Sequence, residues 1–246
     1  MRVYFLGTNG WYDTKTGNTV CVLVETENEY IIFDAGNGFY KIDQYIKEDK
    51  PIYLFLSHYH LDHVIGFHAL VKFKFKQGID IYGPFGLNKF FKDVITYPYS
   101  VSISRLKMRV KLHEIKARSM LPLGAKFKAL RHASTCYGYR IFSEGKSVTY
   151  CTDTGTCRNL FLLAKGADLL ITECSFKEGQ GNNKWPHLNP EQAAKIASSA
   201  KCKKLALLHF DASLYLNKAD RKIALAVAKK TFSNTLATED GLVINL

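Results

Sequence analysis

Residues 57–63 read Ser57-His58-Tyr59-His60-Leu61-Asp62-His63, directly after the apolar run Ile52-Tyr53-Leu54-Phe55-Leu56. A run of that length, rich in β-branched and aromatic residues, reads as a buried strand. The polar cluster therefore falls at a strand's C-terminal end, where α/β folds place their chemistry. Neutral imidazole is the commonest metal ligand, and Zn²⁺ takes His and Asp readily. Four candidate ligands within six positions exceed what one tetrahedral site draws from a single turn, so the spacing points to two adjacent metals. The plainer alternative is a solvated, His-rich loop. Three His in seven residues of a chain holding only 8 His argue against it.

The rest of the composition is permissive. A chain of 246 residues with 47% hydrophobic and 13% aromatic content can build a substantial core, and it reads as one domain over 1–246. Met1 to Gly7 is too quickly followed by Gly, Asn and Asp to be a signal peptide, and no apolar run approaches the ~20 residues of a membrane span. The expectation is a soluble, cytoplasmic protein. Six cysteines (Cys21, Cys136, Cys151, Cys157, Cys174, Cys202) form no C-x-x-C pair, which argues against a zinc ribbon or thioredoxin-like site. They read as buried thiols of a reducing compartment. The net charge of +12 favours anionic substrates, nucleic acid among them, although a Lys-rich proteome gives the same balance.

In chain order, Val3 to Leu6 reads as a strand ending at the turn cluster Gly7-Thr8-Asn9-Gly10. Thr19 to Thr26 and Glu29 to Phe33 read as a hairpin through Glu27-Asn28. Asp34 closes the second strand, either anchoring a neighbouring loop by accepting its N–H groups or capping a helix expected from Gly38 to Lys47. A helix is expected to begin in Val64 to Phe75, followed by a strand over Ile79 to Tyr82 and a helix over Gly86 to Ile95. Arg105 to Leu112 alternates basic and apolar residues with period two, which predicts a half-buried antiparallel strand with a basic face. Lys72, Lys74 and Lys76 alternate similarly with Phe73 and Phe75. Such faces either track a phosphate backbone or are merely solvated. Lys126 to Leu130 reads as a strand, Tyr137 to Ser143 and Ser147 to Thr152 as a hairpin, and Leu169 to Thr172 and Leu205 to Leu208 as further strands. Helices are expected over Pro190 to Ser199, with Asn189 as N-cap and Pro190 at N1, and over Lys218 to Lys230.

A pattern crosses the whole chain. Asp34, His58, His132, Asp153, Glu173 and His209 each stand at, or one residue past, the end of an expected strand. With His60, Asp62 and His63, the set offers five His and two Asp as ligands, about what two metals need once a shared water is counted. The natural reaction class is hydrolysis, with hydroxide generated near neutral pH.

His58-x-His60-x-Asp62-His63, with Asp34-x-Gly36 before it and His132, Asp153 and His209 after it, resembles the metallo-β-lactamase superfamily. That resemblance implies an α/β fold, a four-layer αβ/βα sandwich of two mixed sheets flanked by helices, with metals at one edge of the sheets. It implies two Zn²⁺, or Mn²⁺ or Fe²⁺. His58, His60 and His132 would bind one, Asp62, His63 and His209 the other, and Asp153 would bridge them, with Asp34 orienting the ligand loop. Within the superfamily the chain looks most like the ribonuclease Z and phosphodiesterase branch. The similar segments are Phe5-Leu6-Gly7-Thr8, Ile81-Tyr82-Gly83-Pro84, Tyr137-Gly138-Tyr139-Arg140-Ile141, Asp153-Thr154, Ala164 to Asp168 and Thr172-Glu173. His187-Leu188-Asn189 resembles the branch's motif for a second catalytic histidine, supported by a Glu in the position of Glu173. Asp62, His187 and Glu173 are accordingly the catalytic set it implies. As an alternative, His187 is a loop residue ahead of a helix N-cap.

Two departures matter. Ribonuclease Z carries a long tRNA-gripping arm between the equivalents of His132 and Asp153, where this chain has 20 residues. Asn189 also replaces the hydroxyl residue usual after that histidine. The first expectation is therefore a dinuclear phosphodiesterase acting on RNA ends, cyclic nucleotides or another small phosphodiester through a metal-bridging hydroxide. Lactone, thioester or β-lactam hydrolysis on the same centre is the second, and ribonuclease Z-like cleavage at tRNA 3′ ends the third. A nucleic-acid-binding module with a vestigial site is disfavoured by the intact ligand set. The partners implied are a phosphodiester substrate and no membrane, and a homodimer is compatible with the sequence.

Overall fold

A computed structural model describes residues 1–246. In the first half, strands β1 (Arg2–Gly7), β2 (Asn9–Gly10), β3 (Cys21–Glu25), β4 (Tyr30–Phe33), β5 (Ile52–Phe55), β6 (Ile79–Gly83) and β7 (Val110–Glu114) enclose the short helices α1 (Leu61–Val64) and α2 (Leu87–Asp93). The second half holds β8 (Lys126–Ala129), β9 (Tyr137–Ser143), β10 (Lys146–Cys151), β11 (Leu169–Glu173), β12 (Leu205–Leu208), β13 (Phe210–Asp211), β14 (Thr235–Ala237) and β15 (Val243–Asn245). Among them run α3 (Arg158–Ala164), α4 (Pro190–Ser199) and α5 (Lys218–Lys229).

One seven-stranded sheet has the order β15-β1-β3-β4-β5-β6-β7, and a six-stranded sheet the order β14-β12-β11-β10-β9-β8. Both are mixed. β1, β3 and β4 pair antiparallel, whereas β4 to β7 run parallel. β8, β9 and β10 pair antiparallel, and β10, β11, β12 and β14 parallel.

The layering follows from period two along the strands. On β3, Val22 and Val24 point into the space between the sheets, where they meet Phe33, Phe55, Tyr139, Tyr150 and Ile171. Cys21 and Leu23 point outward, to a core shared with Phe39, Phe67 and Phe91. On the second sheet Leu170, Leu205 and Leu207 point outward to Leu160, Ala194 and Ala224 of α3, α4 and α5. Four layers result, two sheets face to face with helices on each outer surface, as the sequence reading expects.

Parallel pairing brings the C-terminal ends of β4, β5, β10, β11 and β12 to one edge, and these are the ends that carry Asp34, His58, Asp153, Glu173 and His209. There β2 pairs with β13 and ties the two halves together. Gly10 is required at that junction, because a Cβ would lie 2.5 Å from His209 Cε1.

Several elements differ from expectation. Asn37–Gln44 is a 3₁₀ helix that stops short of Lys47; its first N–H groups, of Asn37 and Gly38, bond Thr19, and Phe39 closes three residues back on Gly36. The helix after the histidines is one α turn, then 3₁₀ over Ile65–Lys72, and α2 is shorter than Gly86 to Ile95. The strand expected over Arg105 to Leu112 is displaced. Ile103–Arg105 is a 3₁₀ turn, and only Val110–Glu114 pairs, parallel rather than antiparallel, with β6. β6 starts at Ile79, just after the left-handed Gly78, so residues 105–109 have no strand to pair with. Their alternation of burial survives: Arg105, Lys107, Arg109 and Lys111 are exposed, and Met108 is buried. By contrast, the Asn189 cap of α4 forms as read, completed by Gln192 in a capping box. All six cysteines are free thiols, and no helix is long and apolar enough to cross a membrane.

Candidate metal centre and active site

The histidines of residues 58–63 reach one point because β5 ends at Phe55 and the chain turns into α1 at once. His58 and His60 lie on the extended turn, and Asp62 and His63 in the first helical turn. From the second sheet, His132 arrives three residues after β8, Asp153 two after β10 and His209 one after β12. Asp34, Asp153 and His209 all adopt left-handed backbone, with φ of 58°, 48° and 53°. Such non-glycine outliers at adjoining strand ends are a local cost that aims the side chains at the edge.

The seven residues form two groups. His58, His60, His132 and Asp153 offer ligand atoms within 4.8 Å of one another, and so do Asp62, His63 and His209. In the first group His132 Nε2 lies 3.3 Å from His60 Nδ1, and Asp153 Oδ2 lies 3.6 Å from His58 Nε2 and 3.8 Å from His132 Nε2. In the second, His63 Nε2 and His209 Nε2 are 3.1 Å apart and lie 3.5 and 3.2 Å from Asp62 Oδ2. Asp153 Oδ1 is 3.1 Å from each of those two imidazoles. One carboxylate thus gives one oxygen to each group.

These separations test whether the residues suit a metal. Four ligands about 2.05 Å from a tetrahedral ion stand about 3.3 Å apart. The measured separations of 3.1–3.8 Å bracket that value. In addition, His58 Nε2 is buried without any hydrogen-bond partner and faces this point. Such an orphan costs free energy unless something binds it. The donor set fits a divalent cation.

The far sides of the rings fix which nitrogen faces inward. Asp34 accepts from Ser57 N at 2.7 Å, Ser57 Oγ at 2.8 Å, Tyr150 OH at 2.6 Å and His63 Nδ1 at 2.8 Å. Since Ser57 Oγ donates to Asp34, it accepts from His58 Nδ1 at 2.9 Å, leaving His58 Nε2 as a bare lone pair. Ser175 Oγ stands 3.0 Å from His209 Nδ1 and does the same there. His132, whose Nδ1 has no partner, and His60, whose one hydrogen-bond contact is Nδ1 to His132 Nε2, are not fixed in this way. Asp34 is therefore an anchor and not a cap: the helix behind it starts at Asn37, with Gly36 at the N-cap position and no side-chain cap.

Electrostatics divide the imidazoles. Burial pushes His58 well down, lowers His60, and brings His132 to about 4. Burial also acts against the charged forms of His63 and His209, but the surrounding carboxylates, Asp153 and Asp62 for both and Asp34 for His63, together outweigh it and raise both. Desolvation of Asp62 and Asp153 is likewise overcome by the facing imidazoles, which hold both carboxyls well below their usual range. Three rings are thus neutral ligands already, and two hold protons that a cation would displace.

Beside this cluster, His187 Nδ1 bonds Glu173 Oε1 at 2.8 Å, and Glu173 also accepts from the N–H groups of Leu188 and Thr154. His187, Asp153 and His209 share ligand atoms within 4.8 Å, so the other edge of the ring reaches the centre. Burial lowers the His187 imidazole, yet the Glu173 carboxylate raises it to about 9. Over the mouth, Trp11 and Trp185 stack 5.7 Å apart at 12°, Trp185 also stacks on His60 at 5.5 Å, and the Trp11 N–H donates to Asp62 at 2.8 Å.

All the residues expected from the sequence meet at this edge. Sequence reasoning missed Tyr150, Ser175, Trp11 and Trp185. Ser175 stood two residues past Glu173 and could have been suspected. Nothing local marks the other three, which arrive from separate elements.

The pattern of the Beta-lactamase superfamily domain matches residues 29–210. A Ribonuclease Z from Synechocystis sp. is 25% identical over an alignment of 313 positions, covering 100% of this chain and 94% of the relative. That alignment is longer than the 246 residues here, so the relative carries additional segments. Among solved structures, the metallo-beta-lactamase fold protein YhfI from Bacillus subtilis superposes with a TM-score of 0.83 at 25% identity, over 99% of this chain and 98% of that one. Human tRNase Z, short form, superposes with a TM-score of 0.76 at 23% identity, over 100% and 99%.

Proposed function

The chain belongs to the beta-lactamase superfamily and is a metal-dependent hydrolase of the ribonuclease Z-like branch; from that premise we propose that it is a dinuclear zinc phosphodiesterase. The observation that carries the proposal is Asp153, with Oδ2 beside His58 and His132 and Oδ1 beside His63 and His209. His58, His60, His132 and Asp153 would hold one ion, and Asp62, His63, His209 and Asp153 the second. When bound, such a pair polarises a phosphoryl oxygen and lowers the pKa of coordinated water.

The chain's own groups supply the rest. Water's oxygen joins phosphorus and gives up a proton to solvent, the bond from phosphorus to the leaving oxygen breaks, and that oxygen takes the His187 proton. His187 recovers a proton from solvent. Glu173 keeps the imidazole charged and its ring fixed, as a general acid requires. Asp62 is held by the Trp11 N–H and its two imidazoles. Trp11 and Trp185 shield the mouth from bulk water.

The substrate is a phosphodiester, an RNA end or a cyclic nucleotide among the candidates, and the +12 charge supports an anion. The connection from His132 to Asp153 is filled by the tight β9–β10 hairpin, which leaves no arm for gripping a tRNA. A buried His–Glu acid has less use in carbonyl hydrolysis. The test is hydrolysis of bis(p-nitrophenyl) phosphate and of a dinucleotide by metal-loaded protein. Asp153→Ala should abolish both. His187→Ala should cost on the order of 10²–10⁴-fold on the dinucleotide, whose alkoxide needs a proton, and much less on the nitrophenyl ester. No diester turnover by protein carrying two metals would move the assignment to lactones and thioesters.

A further inference from the structure

A cavity of about 400 Å³ has His187 in its wall, next to the metal centre. It is of a size that ligand sites commonly have. Arg131, His187, Asn182, Asn183, Gln180 and Gln192 line it, together with glycines, Thr156, Asn189 and Pro186. No carboxylate lines this cleft and Pro186 is its one hydrocarbon side chain, so it is unsuited to an acyl tail and open to an anion.

Arg131 is its one permanent cation. The backbone is pinned: Arg131 N donates to Thr154 Oγ1 at 3.3 Å, and Gly155 N donates to Arg131 O at 2.9 Å. The guanidinium is free by comparison, exposed and with a single side-chain hydrogen bond, 3.4 Å to Asn183 Oδ1. Gly155 lets Pro186 close in on this wall, since a Cβ there would sit 2.9 Å from Pro186 Cβ, and the Arg131 side chain passes it at ordinary contact distance. A planar fork of donors at the wall of an acid-free cleft suits bidentate contact with phosphate.

Resting on the phosphodiesterase reading, we infer that this cleft is the leaving-group subsite and that Arg131 binds a second phosphate on the leaving side of the substrate. His187 connects the two sites, because the oxygen it protonates belongs to the group that must occupy the cavity the same ring lines. The substrate class is then an oligonucleotide or a nucleotide with its own terminal phosphate. A plain cyclic nucleotide has its leaving oxygen on the same ribose and brings no second phosphate.

Two measurements test this. The chain's only tryptophans, Trp11 and Trp185, stand at the site, so intrinsic fluorescence reports binding there without catalysis. Adenosine 3′,5′-bisphosphate should bind about tenfold or more tightly than adenosine 5′-monophosphate, the worth of one charge-assisted pair. Arg131→Ala should bring the two within about threefold, and Arg131→Lys should keep part of the difference. In turnover, adenylyl-adenosine is compared with its 5′- and 3′-phosphorylated forms. One phosphorylated form should gain about tenfold in kcat/KM, and Arg131→Ala should remove the gain. Equal binding of the two nucleotides, or a preference that survives Arg131→Ala, overturns the subsite. Absence of all diester turnover alongside an Arg131-dependent bisphosphate preference instead overturns the phosphodiesterase reading and keeps the anion site.

Discussion

Glu173→Gln removes one charge from a buried pair and leaves its shape almost unchanged. Glu173 is fully buried and accepts from His187 Nδ1, Leu188 N and Thr154 N. Gln can still accept from the imidazole, so the ring should stay in place. What disappears is the carboxylate that does most to raise His187 to about 9, while burial, which lowers it, remains and exceeds the smaller upward pull of Asp153 and Asp211. The imidazole should then titrate at or below its ordinary ~6.5. At pH 8 the acid form falls from about 90% to about 3%, so kcat on a dinucleotide should drop about 30-fold; at pH 6 it should fall less than about twofold. The same shift bears on stability. A folded pKa raised above the unfolded one stabilises the fold fully below ~6.5, and that share is lost as pH rises through about 9. Its size is on the order of 3 kcal/mol, so the deficit of the variant in a melt should be largest at pH 6 and narrow by that amount toward pH 10, leaving the pH-independent cost of an amide N–H₂ facing a backbone donor. The assay is a kcat–pH profile from pH 5.5 to 9.5, paired with thermal melts across the same range. An alkaline limb that does not move in Glu173→Gln would refute the assignment of His187 as the acid sustained by Glu173.

Three further outcomes are expected. Gly10→Ala should cost at least about tenfold in activity with little change in core stability, because its methyl group would strike the His209 ring; crystallography or metal titration locates the displaced imidazole. Asp34→Asn turns an acceptor of four hydrogen bonds into a group with an N–H₂ facing donors, and should cost about 3–5 kcal/mol in a thermal melt and about 10–100-fold in metal affinity by chelator competition. Zinc binding near pH 7 should release about one to two protons, since His63 and His209 carry raised pKa values and must deprotonate to ligate. Calorimetry in buffers of different ionisation enthalpy counts those protons, and the apparent affinity should weaken as pH falls.

The order of strands and the ligand cluster at His58 to His63 were legible because both are local patterns. A strand's apolar run and the four ligands just beyond it lie within a dozen residues, and the Asn189-Pro190 start of α4 is written in the residues that form it. Placing Asp34, Asp153 and His209 at strand ends also needed only the end of each run. Pairing is another matter. Arg105 to Lys111 has the alternation of a strand and is not one, since a strand needs a partner and β6 offers one only opposite Val110–Glu114. The choice between cap and anchor for Asp34 was settled by Tyr150, which lies 116 residues away and donates to it across the two sheets. Trp11 meets Trp185, and Arg131 meets Asn183, through loops that sequence periodicity does not address. The sequence by itself therefore determined which groups could ligate and on which strand ends they stand, since backbone periodicity is a short-range property. The division of seven ligands into two groups, with one oxygen of Asp153 in each, was decided only when parallel pairing and sheet stacking brought the two halves of the chain to one edge.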